Sequence, residues 1–377
     1  MRRDIVANIL DYLEWRGDLT LDQSPFCPVD SLILCRAAYL PFDGILGDAP
    51  MTFSEAAQRY FKKGTPHLGR LLMEQDVSLF QALGESRRFG GMALSDYVNH
   101  LDPAEEEQFS AVTVALGNGI RYLAYRGTDS TLVGWKEDFN MTFLTPVPAQ
   151  REGLDYLNYV ARKRRGALML GGHSKGGNLA VYAAAMAAPK VQGRILVVHN
   201  NDGPGFDAEM LRQPGYQAVL GRIHTFLPQS SVIGMLLEHE EPYTVVHSVQ
   251  RGLLQHDLYS WEVNRSGFRE METITESSQF VDRTLKNWLA ALAPIQRERF
   301  LDVLYEVLSA TGATTLSELS ASWLRSAGTI LKGLKNVDAD TRRMIWQTLI
   351  QLMQAARSSM PSIRMRRSPR QRKGLHD

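Results

Sequence analysis

The spacing of apolar positions changes along the chain. Over 5–15 and 31–39 they recur at helical intervals, separated by the polar turn Arg16-Gly17-Asp18. The stretches 111–116 and 120–125 are short β-type runs joined at Gly117-Asn118-Gly119, a hairpin signal. From about 150 the two spacings alternate. Helical patterns at 150–164 and 175–188 are interleaved with apolar strand-like runs at 167–170, 195–199, 223–227 and 243–249. That alternation predicts an α/β fold, a mostly parallel central sheet with helices on both faces and the 111–125 hairpin as its antiparallel edge. After about 275 only helical spacing remains, over 280–292, 295–309, 316–334 and 339–356, punctuated by Pro294 and Gly312. The expected organisation is a 1–275 α/β domain with a helical N-terminal segment, a 276–360 helical subdomain and a 361–377 basic tail.

Composition narrows the function classes. With 42 Lys+Arg against 41 Asp+Glu the net charge is +1, so the whole chain is neither a strongly basic nucleic-acid binder nor an acidic disordered protein. A 44% hydrophobic fraction suffices for a sizeable core. Apolar stretches such as 179–188 fall short of the roughly 20 residues needed to span a membrane. No signal-peptide pattern follows Met1-Arg2-Arg3, and Cys27 and Cys35 lack metal-type spacing, so they read as reduced structural thiols. The expectation is a soluble cytoplasmic protein. The end of the chain carries Arg364, Arg366, Arg367, Arg370, Arg372 and Lys373 without an opposing charge. It reads as a solvated, disordered tail, with peripheral contact to an anionic membrane as the alternative.

One segment carries chemistry. Gly172-His173-Ser174-Lys175-Gly176 fits G-x-S-x-G, with a strand-like run before it and a helical pattern after it. That strand–turn–helix setting identifies a nucleophile elbow, in which a sharp bend lifts the serine above the sheet at a helix N-terminus. Side chains at Gly172 and Gly176 would collide with neighbouring backbone in so tight a turn. The alternative is a glycine-rich turn whose Ser174 only caps the helix. A serine nucleophile needs a base and an orienting acid, and in this fold the chain order is Ser, acid, His. His199, His224 and His247 lie in strand-like runs, and His239, in Glu238-His239-Glu240-Glu241, reads as a solvated turn. His256 follows the last strand-like run after Gly252 and is the candidate base. For the acid, Asp202 comes directly after a strand in Asn200-Asn201-Asp202-Gly203-Pro204-Gly205, with Glu238 as the alternative and Asp207 as a helix cap. The strand running into Arg126-Gly127-Thr128 could bring the Thr128 amide, with or without its hydroxyl, beside the Lys175 amide as oxyanion donors.

These segments resemble the fungal-type triacylglycerol lipases of the α/β-hydrolase superfamily. More closely, they are similar to a bacterial family of lipase-like α/β-hydrolases sharing Trp15-Arg16-Gly17-Asp18, Trp135-Lys136-Glu137-Asp138-Phe139, Asn200-Asn201-Asp202-Gly203-Pro204-Gly205-Phe206 and Gln255-His256-Asp257. The resemblance covers roughly residues 1–270 and implies Ser174 as nucleophile, Thr128 and Lys175 as oxyanion donors and His256 as base. Two departures stand out. Lys175, a cation beside the active site, replaces the usual leucine. The loop after 223–227, where the lipases carry their acid, reads Pro228-Gln229-Ser230-Ser231-Val232 with no carboxylate before Glu238. Asp202 therefore rests on position alone. The expected function is hydrolysis of carboxylic esters, of a small molecule or a lipid, needing no cofactor or metal. The segment 139–148 is a candidate lid. The alternative is a hydrolase-fold binding or scaffold protein without turnover.

Overall fold

The computed structural model describes residues 6–62, 73–129, 131–141, 144–250 and 252–275, with the single positions 284, 287, 343, 347 and 350. The expected helical subdomain, apart from those five positions, and the basic tail lie outside the described residues. Among the described residues nine strands form one sheet in chain order: β1 (Met51–Thr52), β2 (Ala93–Asp102), β3 (Glu107–Gly117), β4 (Ile120–Tyr125), β5 (Leu168–His173), β6 (Ile195–Asn201), β7 (Ile223–Pro228), β8 (Tyr243–Val246) and β9 (Glu270–Met271). The pairings from β4 to β8 are parallel; those from β1 to β4 and between β8 and β9 are antiparallel. The sheet is thus evenly mixed rather than mostly parallel. The β3–β4 hairpin forms as its sequence predicts, with Gly117, Asn118 and Gly119 all at positive φ. It is not the sheet edge, because β2 and β1 continue beyond it. β2 escapes the pattern because Leu94 is its one buried residue.

Among the described residues ten helices flank the sheet: α1 (Ile9–Arg16), α2 (Pro28–Ala37), α3 (Phe53–Lys62), α4 (Gln75–Glu85), α5 (Leu132–Asn140), α6 (Pro148–Lys163), α7 (Lys175–Met186), α8 (Pro189–Gln192), α9 (Ala208–Leu211) and α10 (Pro214–Val219). They lie on both faces, and β4 shows why. Its Tyr122 and Ala124 belong to one core with α1–α4, while Leu123 and Tyr125 belong to the other with α6, α7 and α10. A strand buried on both faces has its register fixed, since a one-residue slip would exchange every side chain between two differently shaped cores. Each fully buried Leu or Phe contributes roughly 1.5–3 kcal/mol.

The α1–α4 face is more than a segment with helical spacing. Two ion pairs closed to solvent tie it together, Arg36–Asp76 and Arg88–Asp30, each at 2.6 Å. On the other face α7 is buried along Lys175–Ala185. Its run of Gly and Ala lets it lie close to the sheet, and a helix apolar on all sides belongs in a core. Among the described residues no helix is long and apolar enough to cross a membrane. Cys27 and Cys35 are free thiols.

Candidate active site

Ser174 occupies the single position between the end of β5 and the start of α7, with φ 58° and ψ −135°. A non-glycine residue in that region is strained, and the strain persists only where the surroundings over-determine it. The crowding is visible. A Cβ on Gly172 would lie 2.1 Å from the Gly176 carbonyl, and one on Gly176 would lie 2.2 Å from the Tyr125 carbonyl oxygen. The Ser174 side chain makes no cap bond to α7, so the plain helix-cap alternative does not describe it.

His256 ends a short 3-10 helix, Gly252–His256, after β8. Its Nδ1 lies 2.7 Å from Asp202 Oδ2. A carboxylate can only accept, so Nδ1 carries the proton and Nε2 is left as the acceptor of a neutral ring. Asp202 follows β6 directly, at φ 53°, and its other oxygen, Oδ1, accepts from the Ser231 hydroxyl and from the Gly234 amide at 3.2 Å. The structure thus brings His256 to Asp202 and not to Glu238. Glu238 is exposed, and its backbone pairs with Phe206. Asp207 caps α9, accepting from the Glu209 and Met210 amides. The site is compact: a Cβ on Gly203 would meet the Ser174 carbonyl oxygen at 2.5 Å.

His173 joins these parts. Its ring packs against that of His256 with centroids 4.3 Å apart, and its Nε2 donates to the His256 carbonyl at 2.9 Å. Burial, then the charges of His256 and Arg36, hold its pKa well below the usual imidazole range, so the ring is neutral. Its Nδ1 therefore accepts, from the Tyr39 hydroxyl at 3.2 Å, and that hydroxyl in turn accepts the Gly127 amide at 3.0 Å. The loop bearing the base, the elbow and the loop after β4 are linked through two side chains. Tyr39 lies just past α2, and nothing local in the sequence signals its part.

On the opposite flank, a Cβ on Gly127 would come within 3.0 Å of Ser174 Cβ, which sets the neighbouring Thr128 beside the elbow. The Thr128 hydroxyl donates to both oxygens of Asp138 on α5, at 2.6 Å for Oδ2. The Thr128 hydroxyl is therefore engaged by Asp138. Burial pushes the Asp138 carboxyl up to about 6, against the charge of Lys175 and the Thr128 hydrogen bond, which pull it down. Lys175 does not present its charge at the site. Its Nζ is buried, donating to the Gln108 carbonyl and side chain at 2.6 and 2.9 Å and to Glu137 at 2.8 Å. The expectation of a cation beside the active site is corrected: where the lipases have leucine, an ammonium extends into a pocket of oxygens beneath α5. Glu137 completes that pocket by accepting the Gln108 and Ala149 amides.

Of the other histidines, His199 is buried on β6 against Phe26 and Phe226, and burial followed by His224 lowers its pKa to about 3. His239 is no solvated turn, since its side chain is only 7% exposed. Among the described residues one trio could hold a metal ion, His100, Glu107 and Glu152, on β2, β3 and α6. The candidate lid lies between α5 and α6, and its residues 142 and 143 are outside the described residues.

Residues 83–306 match the model of the Mbeg1-like family, more than half of the chain. The chain belongs to the Mbeg1-like family. Nothing among the curated proteins matches it. A solved structure titled as the crystal structure of M37 lipase is 14% identical, covering 54% of this chain and 68% of its own, with a TM-score of 0.33. That likeness is too distant to carry an activity across. The matched span of this Mbeg1-like chain contains Thr128, Ser174, Asp202 and His256 but not Tyr39. The α1–α2 layer, after which Tyr39 reaches His173, lies outside the matched span.

Proposed function

We propose that the protein is a lipase-like serine hydrolase of carboxylic esters, built on an α/β-hydrolase scaffold, with Ser174, His256 and Asp202 as its triad. The observation that carries the reading is the conjunction at the elbow. Ser174 is held in strained geometry at the start of a buried helix with no cap bond from its side chain, and the His256 imidazole, packed on His173 next to it in the chain, is oriented by a carboxylate. In the reaction His256 Nε2 takes the Ser174 hydroxyl proton as Oγ bonds to the acyl carbon. The carbonyl π-pair moves onto oxygen, which the Lys175 and Thr128 amides receive at the positive end of α7. Collapse of the tetrahedral intermediate expels the alcohol, which takes the proton from His256. Water then attacks the acyl-enzyme by the same route, releasing acid and free Ser174. Asp202 keeps the ring in the required tautomer and stabilises the imidazolium.

Hydrolysis of p-nitrophenyl acetate and longer p-nitrophenyl esters tests the reading. The wild type should turn over at least one chain length, and Ser174→Ala should remove on the order of 10⁴-fold or more of kcat. Folded wild type with no turnover of any ester would instead favour a binding or scaffold protein. The acyl length and a lipid substrate are set by the same series.

A further inference from the structure

The loop after β7 supplies no acid, yet it is built with unusual care. Its Ser231 hydroxyl and Gly234 amide hold the outer oxygen of Asp202. Ser231 Oγ also accepts the Gly234 amide at 3.1 Å, so the turn closes on itself around that oxygen. Gly234 is fixed from its other side. Its carbonyl accepts from His239 Nε2 at 2.7 Å, and His239 Nδ1 lies 3.0 Å from Glu241 Oε1. Both ring nitrogens face oxygens, so the imidazole is held from both sides, by a backbone carbonyl and by a buried carboxylate. Glu241, only 3% exposed, accepts in addition from the Thr225 hydroxyl on β7 and from the Tyr216 hydroxyl on α10 at 2.6 Å. Burial alone would raise the Glu241 pKa, but the hydrogen bond and charge of His239, then Thr225 and Tyr216, bring it down to about 2.

A second carboxylate–imidazole pair therefore stands behind the first, joined to it through one residue, Gly234. Glu241 holds His239, His239 holds the Gly234 carbonyl, the Gly234 amide holds Asp202, and Asp202 holds His256. We propose that His239, clamped by Glu241, is a positioning residue that fixes the Asp202 carboxylate against His256. It touches no substrate. The inference rests on the triad reading, and it explains how an acid placed after β6 is supported by the loop that follows β7.

Two isosteres separate positioning from bulk stability. The Gln amide nitrogen reproduces His Nε2, so His239→Gln keeps the bond to Gly234 and loses the one to Glu241. The Asn amide nitrogen reproduces Nδ1, so His239→Asn keeps Glu241 and loses Gly234. With p-nitrophenyl acetate, His239→Asn should lower kcat about 10-fold or more with KM within about 2-fold, while His239→Gln stays within about 3-fold of wild type. The downfield proton NMR signal of the His256 Nδ1–H···Asp202 bond should broaden or vanish in His239→Asn and persist in His239→Gln. Equal kcat in the two variants, or a loss confined to KM, overturns the inference. If His239→Asn does not fold, His239→Ser serves instead, since it too lacks the bond to Gly234, and an unchanged NMR signal there also overturns the inference. The NMR comparison does not need turnover. Wild type without esterase activity refutes the triad reading, while an unaltered signal in the variants refutes the positioning role.

Discussion

The two flanks of Ser174 each contain a carboxyl engaged by protein donors, and the pKa values of the two move in opposite directions although burial pushes both up. Behind Asp202, Glu241 has the His239 imidazole and two hydroxyls as partners, and its pKa falls to about 2. Behind Thr128, Asp138 has one hydroxyl, and its pKa rises to about 6. Both pay the same kind of desolvation cost; the number and charge of the donors decide the sign. Glu241 is thus ionised across the ordinary pH range. Asp138 instead changes charge near pH 6.

The largest effect that sharpens this contrast is chemical. Asp202→Asn should lower kcat on the order of 10⁴-fold, because the amide favours the wrong His256 tautomer, with little change in urea stability. On the other flank Glu137→Ala should act on stability first. It strands the Lys175 ammonium in a buried pocket and should cost about 3–5 kcal/mol in urea unfolding. Glu137→Ala unfolding like wild type would mean that water reaches Lys175 and would break the contrast.

The pH dependence comes next. The Glu241 pKa is depressed in the folded state, so its contribution is fully present above its unfolded value near 4.5 and is lost as pH falls toward 2, about 3 kcal/mol in all. The Asp138 pKa is raised, so the folded state keeps that proton more tightly. Its cost is absent below pH 4 and fully developed above about 6, again about 3 kcal/mol. Stability of wild type relative to Glu241→Gln should therefore rise with pH between 2 and 4.5. Relative to Asp138→Asn it should fall between 4 and 6. Differences of the same sign would contradict the assignment of the two carboxyls. The smallest effect concerns the link between flanks. Tyr39→Phe removes one donor to His173 and the acceptor of the Gly127 amide, and should cost about 1 kcal/mol, a loss of several-fold in kcat.

What the sequence made legible was local. The elbow could be read because its glycines sit two residues either side of Ser174 and the spacing itself reports the crowding. Asp202 could be read because it is the first residue after a strand. The evenly mixed sheet could not, because β2 turns a single residue inward and gives no period to follow. Lys175 misled because a lysine in a glycine-rich turn gives no sign of the oxygens that Gln108 and Glu137 bring from other elements. His239 misled because three flanking glutamates look like a solvated string, whereas Glu241 points into the core toward Thr225 and Tyr216. Tyr39 and His173 lie 134 positions apart, and only the folded chain joins them.

Reaction with a fluorophosphonate, followed by intact mass and peptide mapping, tests the triad most directly. Wild type should gain one adduct on the peptide containing Ser174, at a rate that falls at least about 100-fold in His256→Ala. An adduct on another residue, or equal rates in the two proteins, would contradict the account.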